Sequence, residues 1–123
     1  MTEDRLEPIS PDEMRREFGA PGVQNPNVID LISPEGDSVV LVMIEKRPWG
    51  SATQLHELEE KLNRYLGYVL DGYLVQHYPE WEGRPVEIRL DCVEAPHGDA
   101  RELLAAAAEA VEAEGLGFRV NVV

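Results

Sequence analysis

Residues 51–79, SATQLHELEEKLNRYLGYVLDGYLVQHYP, decide how the rest of the chain is read. Leu55, Leu58, Leu62, Tyr65, Leu66, Val69, Tyr73 and His77 recur at three- and four-residue steps. That spacing lines one face of a 3.6-residue period and predicts a long amphipathic helix. Ser51 with Gln54 fits a capping box, and Pro79 stops the helix. Glu57 with Lys61, and Glu60 with Arg64, are acid-first pairs four apart on the outer face, each worth ~0.2–0.5 kcal/mol. Gly67 and Gly72 each cost about 1 kcal/mol relative to alanine inside a helix. Either something packs closely against them, or the helix ends near Asp71–Gly72 and restarts; one continuous helix is expected. Beyond Gly67 the polar face is interrupted by Tyr68 and Val75, which could make a second contact.

Upstream of this helix lie two β-rich runs, Val28–Ile32 and Ser38–Lys46, joined by residues 33–37, SPEGD. Pro34 and Gly36 supply turn geometry, so the pair reads as a hairpin. The second run holds VVLVMI at 39–44 and is apolar at every position. Such a strand is covered on both faces, by a partner or another segment if the sheet has only one helical layer. Downstream, residues 85–93 alternate: Val86, Ile88, Leu90 and Cys92 inward, Glu87, Arg89 and Asp91 outward. Asp99 with Glu102 reads as the start of a second helix. Leu103, Leu104, Ala107 and Val111 form its apolar stripe, and Gly115 is placed to end it. Residues 116–123 close the chain as a strand with Phe118, Val120 and Val122 inward.

The order hairpin, helix, strand, helix, strand defines an α/β (α+β) two-layer sandwich. A four-stranded mixed sheet carries both main helices on one face, through right-handed crossovers. The open face then bears Glu87, Arg89, Asp91, Arg119 and Asn121. Residues 1–27, punctuated by Pro8, Pro11, Pro21 and Pro26, read as an N-terminal extension with a short helix over 11–18. Residues 28–123 make up the single domain.

Composition narrows the function. The chain has 123 residues, 43% hydrophobic and 28% charged, with a net charge of −13 from 24 acids and 11 bases. That balance disfavours nucleic acid and anionic membrane as partners, because both require a positive face. The acidic start MTEDRLEP lacks a secretory h-region, and no apolar run approaches the ~20 residues of a membrane span. The single cysteine excludes an intramolecular disulfide. Together these features point to a cytoplasmic protein.

No phosphate loop is present, because Gly115 and Gly117 follow a helix instead of opening one. His56, His77 and His97 lack metal-ligand spacing, and Cys92 faces inward as an inert thiol. No metal, cofactor or catalytic residue is therefore assigned. The cluster closest to a ligand site is His77, Tyr78, Trp81, Asp91 and His97, in which an Asp91–His97 pair could act as a base. Trp49 and Trp81 flank opposite ends of the long helix and read as lids on the core.

The pattern Trp49, Leu55, Leu58, Lys61-Leu62-Asn63, Tyr65-Leu66, Asp71-Gly72, Tyr78-Pro79, then Gly83 and Pro85-Val86 with Ile88, resembles a family of small bacterial proteins of unknown function. The likeness runs from Val28 to Val122. It implies a single α/β domain and carries no activity or catalytic residue. The leading reading is a non-enzymatic interaction module that forms a homodimer, through a surface drawn from Tyr68, Val75, Glu87, Arg89, Asp91 and Arg119. An acidic immunity or decoy protein that masks a basic partner is a second reading. A small-ligand binder or enzyme, with its site near the ends of the long helix, is a third.

Overall fold

A computed structural model describes residues 10–123; the first nine residues of the expected extension lie outside the described region. The elements run α1 (Pro11–Phe18), β1 (Leu31–Glu35), β2 (Ser38–Glu45), α2 (Ala52–Leu70), α3 (Tyr73–His77), a 3-10 turn (Pro79–Trp81), β3 (Val86–Cys92), α4 (Gly98–Ala113) and β4 (Gly117–Val122). The sheet order is β1-β2-β3-β4, with β1 antiparallel to β2 and the other neighbours parallel. This is the mixed four-stranded α+β sheet that the element order implies.

The core lies between the sheet and the helices. Val39, Leu41 and Met43 of β2, Ile88, Leu90 and Cys92 of β3, Leu58, Leu62 and Tyr65 of α2, and Leu104, Ala107 and Val111 of α4 are buried together. At ~25 cal/mol per Å² of apolar surface removed from water, this cluster is the main source of stability.

Several local expectations are corrected. The hairpin turn is tighter than predicted: Glu35 pairs with Ser38, so Pro34 sits inside β1. Proline lacks an amide donor, and it is tolerated there because β1 is an edge strand. The long helix does not run through to Pro79. Gly72 adopts φ +87° and separates α2 from α3. A left-handed glycine ends a helix without the Cβ penalty other residues incur. Gly67 stays helical with its nearest neighbour, Asp71 Oδ2, at 3.7 Å from where a Cβ would sit, so close packing does not explain it.

Ser51 caps α2 as expected, its Oγ accepting from the Gln54 amide at 3.0 Å. Gln54 reaches back to the Gly50 amide instead of that of Ser51. Neither expected pair on the outer face forms: Arg47 takes Glu57, Arg64 donates to Asn27, and Lys61 is wholly buried. On α4, His97 occupies the cap position in place of Asp99, without a side-chain capping bond.

The second apolar row of β2 is not bare. Val40 and Val42 are each 1% exposed. Arg89 on β3 reaches Glu35 on β1 at 3.2 Å, so its side chain crosses β2 over this row. Arginine covers apolar surface with its stem while its head stays wet. No partner is needed to bury that row.

Candidate functional site

Residues 22–30 have no periodicity, yet they dock into the core through one polar centre. Val23 and Val28 are fully buried. The Val23 amide donates to the Ile44 carbonyl at 2.8 Å, continuing the edge of β2 beyond β1. Asp30 is also buried; it accepts from the Gly22 amide at 2.8 Å, the Ile44 amide at 2.9 Å and Lys61 Nζ at 2.7 Å. Lys61 spends its other two protons on the carbonyls of Gly22 and Asn25. Burial lowers the Lys61 ammonium below its ordinary range, and Asp30 offsets part of that effect. Tyr65 Oη donates to the Val42 carbonyl at 2.6 Å and accepts from the Asp30 amide at 2.8 Å. Every proton of the ammonium is satisfied, so this is a clamp and has no donor left for a ligand. The division expected at residue 27 falls inside the clamped segment.

The five ligand candidates separate into three places. His77, Tyr78 and Trp81 form an aromatic ladder with Tyr68. Tyr68 and His77 stack at 5.6 Å and share a 2.8 Å hydrogen bond between Oη and Nδ1, and Tyr78 stacks on Trp81 at 4.5 Å. The turn at Gly72 makes this possible: in a straight helix, residues nine apart lie about 13.5 Å apart along the axis and on opposite faces. Tyr68 is therefore buried instead of presented on an outer surface, and burial raises its phenol well above the usual range. Asp91 lies on the open sheet face, held by Arg89 at 2.9 Å. His97 sits beyond the β3 end of the sheet, 3.0 Å from Glu94, whose carbonyl also accepts from Trp49 Nε1. The Asp91–His97 base pair does not form.

The surface candidates on the sheet are engaged with one another. Arg119 bridges to Glu87 at 3.0 Å, Arg89 holds Asp91 and Glu35, and Asn121 donates to Asp91. Burial works against the Arg89 charge, but Asp91 and Glu35 outweigh it and raise its pKa. Val75 is half-buried on α3. Among the described residues, no group of three His, Cys, Asp or Glu is placed to hold a metal ion. No described helix is long and apolar enough to cross a membrane.

Two further features bear on function. A cleft of about 310 Å³ lies between α1 and α2, walled by Met14, Ile29, Tyr68 and Tyr73, floored by Gly67 and rimmed by Asn63, Arg64 and Asp71. The other is the β4 edge. The Val123 amide bonds inward to the Cys92 carbonyl at 2.8 Å. With a period of two, Phe118, Val120 and Val122 turn their amides and carbonyls away from β3. Natural edges are defended by proline, lysine, bulges or covering segments. The β1 edge has Pro34 and the 22–30 segment; among the described residues β4, GFRVNV, has none of these, and Val122 is 51% exposed. The sequence reading missed this edge because alternation reports which side chains face the core, not which strand comes last in the sheet.

The fold and clamp define a small α+β domain. The sequence model of a family of unknown function, DUF6572, matches residues 22–123, and the chain belongs to that family. Its boundary falls at Gly22, whose amide and carbonyl both join the Asp30–Lys61 centre. No curated protein and no solved structure matches the chain.

Proposed function

We propose that the protein is a non-enzymatic interaction module that self-associates through its β4 edge. The undefended row of amides and carbonyls at Phe118, Val120 and Val122 carries this reading. Edge addition forms a ladder of backbone hydrogen bonds without new pockets, and β4 contains Arg119 but no acid, so it is the strand on which so acidic a chain repels itself least. Sedimentation over a range of concentrations tests it. The wild type should dimerise, and Val120→Pro should remain monomeric with an unchanged circular dichroism spectrum. The Val120 amide points away from β3, so the internal ladder survives that substitution. A wild type that stays monomeric at every concentration would end the proposal.

The cleft over Gly67 favours a second reading, a small ligand with an apolar body and a polar end. Met14, Ile29 and Tyr73 would take the body, and Asn63 and Arg64 the polar end. Gly67→Leu would fill the cleft, and a thermal-shift screen against both variants tests it: a ligand that stabilises only the wild type supports this reading.

A further inference from the structure

We infer that self-association is a closed two-fold dimer with Val120 on the dyad and Arg101 of α4 facing the partner's Glu112. This rests on the edge-pairing reading above and specifies its register and its second contact.

The register follows from the free amides. In an antiparallel pair, residues that exchange both bonds must each turn outward. For β4 against itself these are Phe118, Val120 and Val122. Centring the axis on Val120 pairs it with its own copy and sets Phe118 opposite the partner's Val122. An aromatic residue then meets a β-branched one on the helix side of the sheet, and this favours pairing. On the open face Arg119 meets the partner's Asn121, so no like charges oppose each other.

The helix contact follows from the facing of α4. Its buried stripe is Ala100, Leu104, Ala107 and Val111. At about 100° per residue, Asp99 and Leu103 fall on one flank and Arg101, Ala105, Ala108 and Glu112 on the other. Asp99 lines a cleft with Ala52 and Leu55 of α2, so the first flank faces α2. The second flank therefore overhangs the β4 edge. It is mostly exposed, and neither Arg101 nor Glu112 forms an ion pair among the described residues.

The two halves are commensurate. The midpoint of Arg101 and Glu112 and the Val120 position each lie about 10 Å from the α4–β4 turn. A helix seated over β3 and β4 lies about one strand spacing from the dyad, which puts the two α4 axes about 10 Å apart. That is a normal packing distance between helices, and Ala105 and Ala108 leave room for it. Antiparallel α4 helices place Arg101 against the partner's Glu112, and the two-fold repeats the pair. The same symmetry pairs the single free β4 edge of one copy with that of the other and so stops growth at two copies.

Sedimentation equilibrium on Arg101→Glu, Glu112→Arg and the double swap tests the seam. Each single change should weaken dimerisation about tenfold, because each counts twice, and the double swap should return it to within about twofold of the wild type. The two singles move net charge in opposite directions, so general repulsion would weaken the first and tighten the second. That result, or singles that leave the dissociation constant unchanged while Val120→Pro still abolishes the dimer, overturns the seam but keeps the edge. A monomeric wild type overturns both.

Discussion

Lys61 Nζ lies 2.7 Å from Asp30 Oδ1, and neither side chain has any exposed surface. The pair joins the middle of α2 to a segment 31 residues earlier. Taking away one partner strands the other charge in the interior, which typically costs about 3–5 kcal/mol. Lys61→Met also removes the ammonium's bonds to the carbonyls of Gly22 and Asn25. It should lower the denaturation free energy by about that range, and residues 22–30 should become the chain's fastest-cleaved segment in limited proteolysis. A loss under about 1 kcal/mol would mean that the clamp is not what holds this segment.

Tyr65 is the second arm of the clamp. Its hydroxyl joins the Asp30 amide to the Val42 carbonyl, so Tyr65→Phe keeps the ring and removes two buried hydrogen bonds to the backbone. A loss of about 1–3 kcal/mol is expected. Tyr68→Phe removes only the bond to His77, which is half-buried, and should cost less. Urea melts of the two variants, compared at equal m-value, rank them.

The layout of strands and helices was legible because it follows from periods: 3.6 in residues 52–70 and two in residues 86–92. The clamp was not. Lys61 occupies a position that reads as outer face next to Glu57, and its acceptors come from a segment with no period at all. Only pairing can bury an ammonium, and the partners of one residue leave no mark on spacing. The ladder of Tyr68 and His77 was hidden for a related reason. A continuous apolar rhythm masks the turn at Gly72 that folds α3 back onto α2. The grouping of Asp91 with His97 failed because Asp91 sits within β3 on the open face, whereas His97 caps α4 beyond the strand's end.

The two interior glycines of the 51–79 stretch should respond in opposite directions to alanine. Gly72 has φ +87°, where a Cβ is strained, so Gly72→Ala should destabilise by about 1 kcal/mol or more. Gly67 is helical with space around it, so Gly67→Ala should stabilise by about 0.5–1 kcal/mol through reduced freedom of the unfolded chain. Thermal midpoints moving apart in these directions would confirm that the break, and not close packing, explains the stretch. Matching losses would put the functional constraint at Gly67 instead.

Cys92 reports on opening of the core. Burial, with smaller contributions from Asp91 and Glu45, raises its thiol above the ordinary 9.0. A raised pKa favours the protonated form in the folded state. The resulting stability is present below the unfolded value and is lost as pH climbs from there toward the folded one. Denaturant midpoints between about pH 8 and 10 should therefore fall more steeply for the wild type than for Cys92→Ala. Parallel slopes would show that the thiol does not titrate differently in the two states.

The β4 edge makes a prediction at the level of single amides. The amides of Arg119, Asn121 and Val123 point toward β3 and should exchange slowly at any protein concentration, since the Val123 bond to Cys92 fixes the alternation. Those of Phe118, Val120 and Val122 point outward and should exchange fast in dilute solution. If a second copy adds along this edge, these three alone should gain protection as concentration rises, by the factor that the dimer fraction sets. Val120→Pro should abolish that gain at Phe118 and Val122 without loosening Arg119 or Asn121. Amide exchange read by NMR at two concentrations resolves the alternation. Protection that rises uniformly along β4 would indicate global stabilisation and not strand addition, and outward amides that stay fast at every concentration would mean the edge is never occupied.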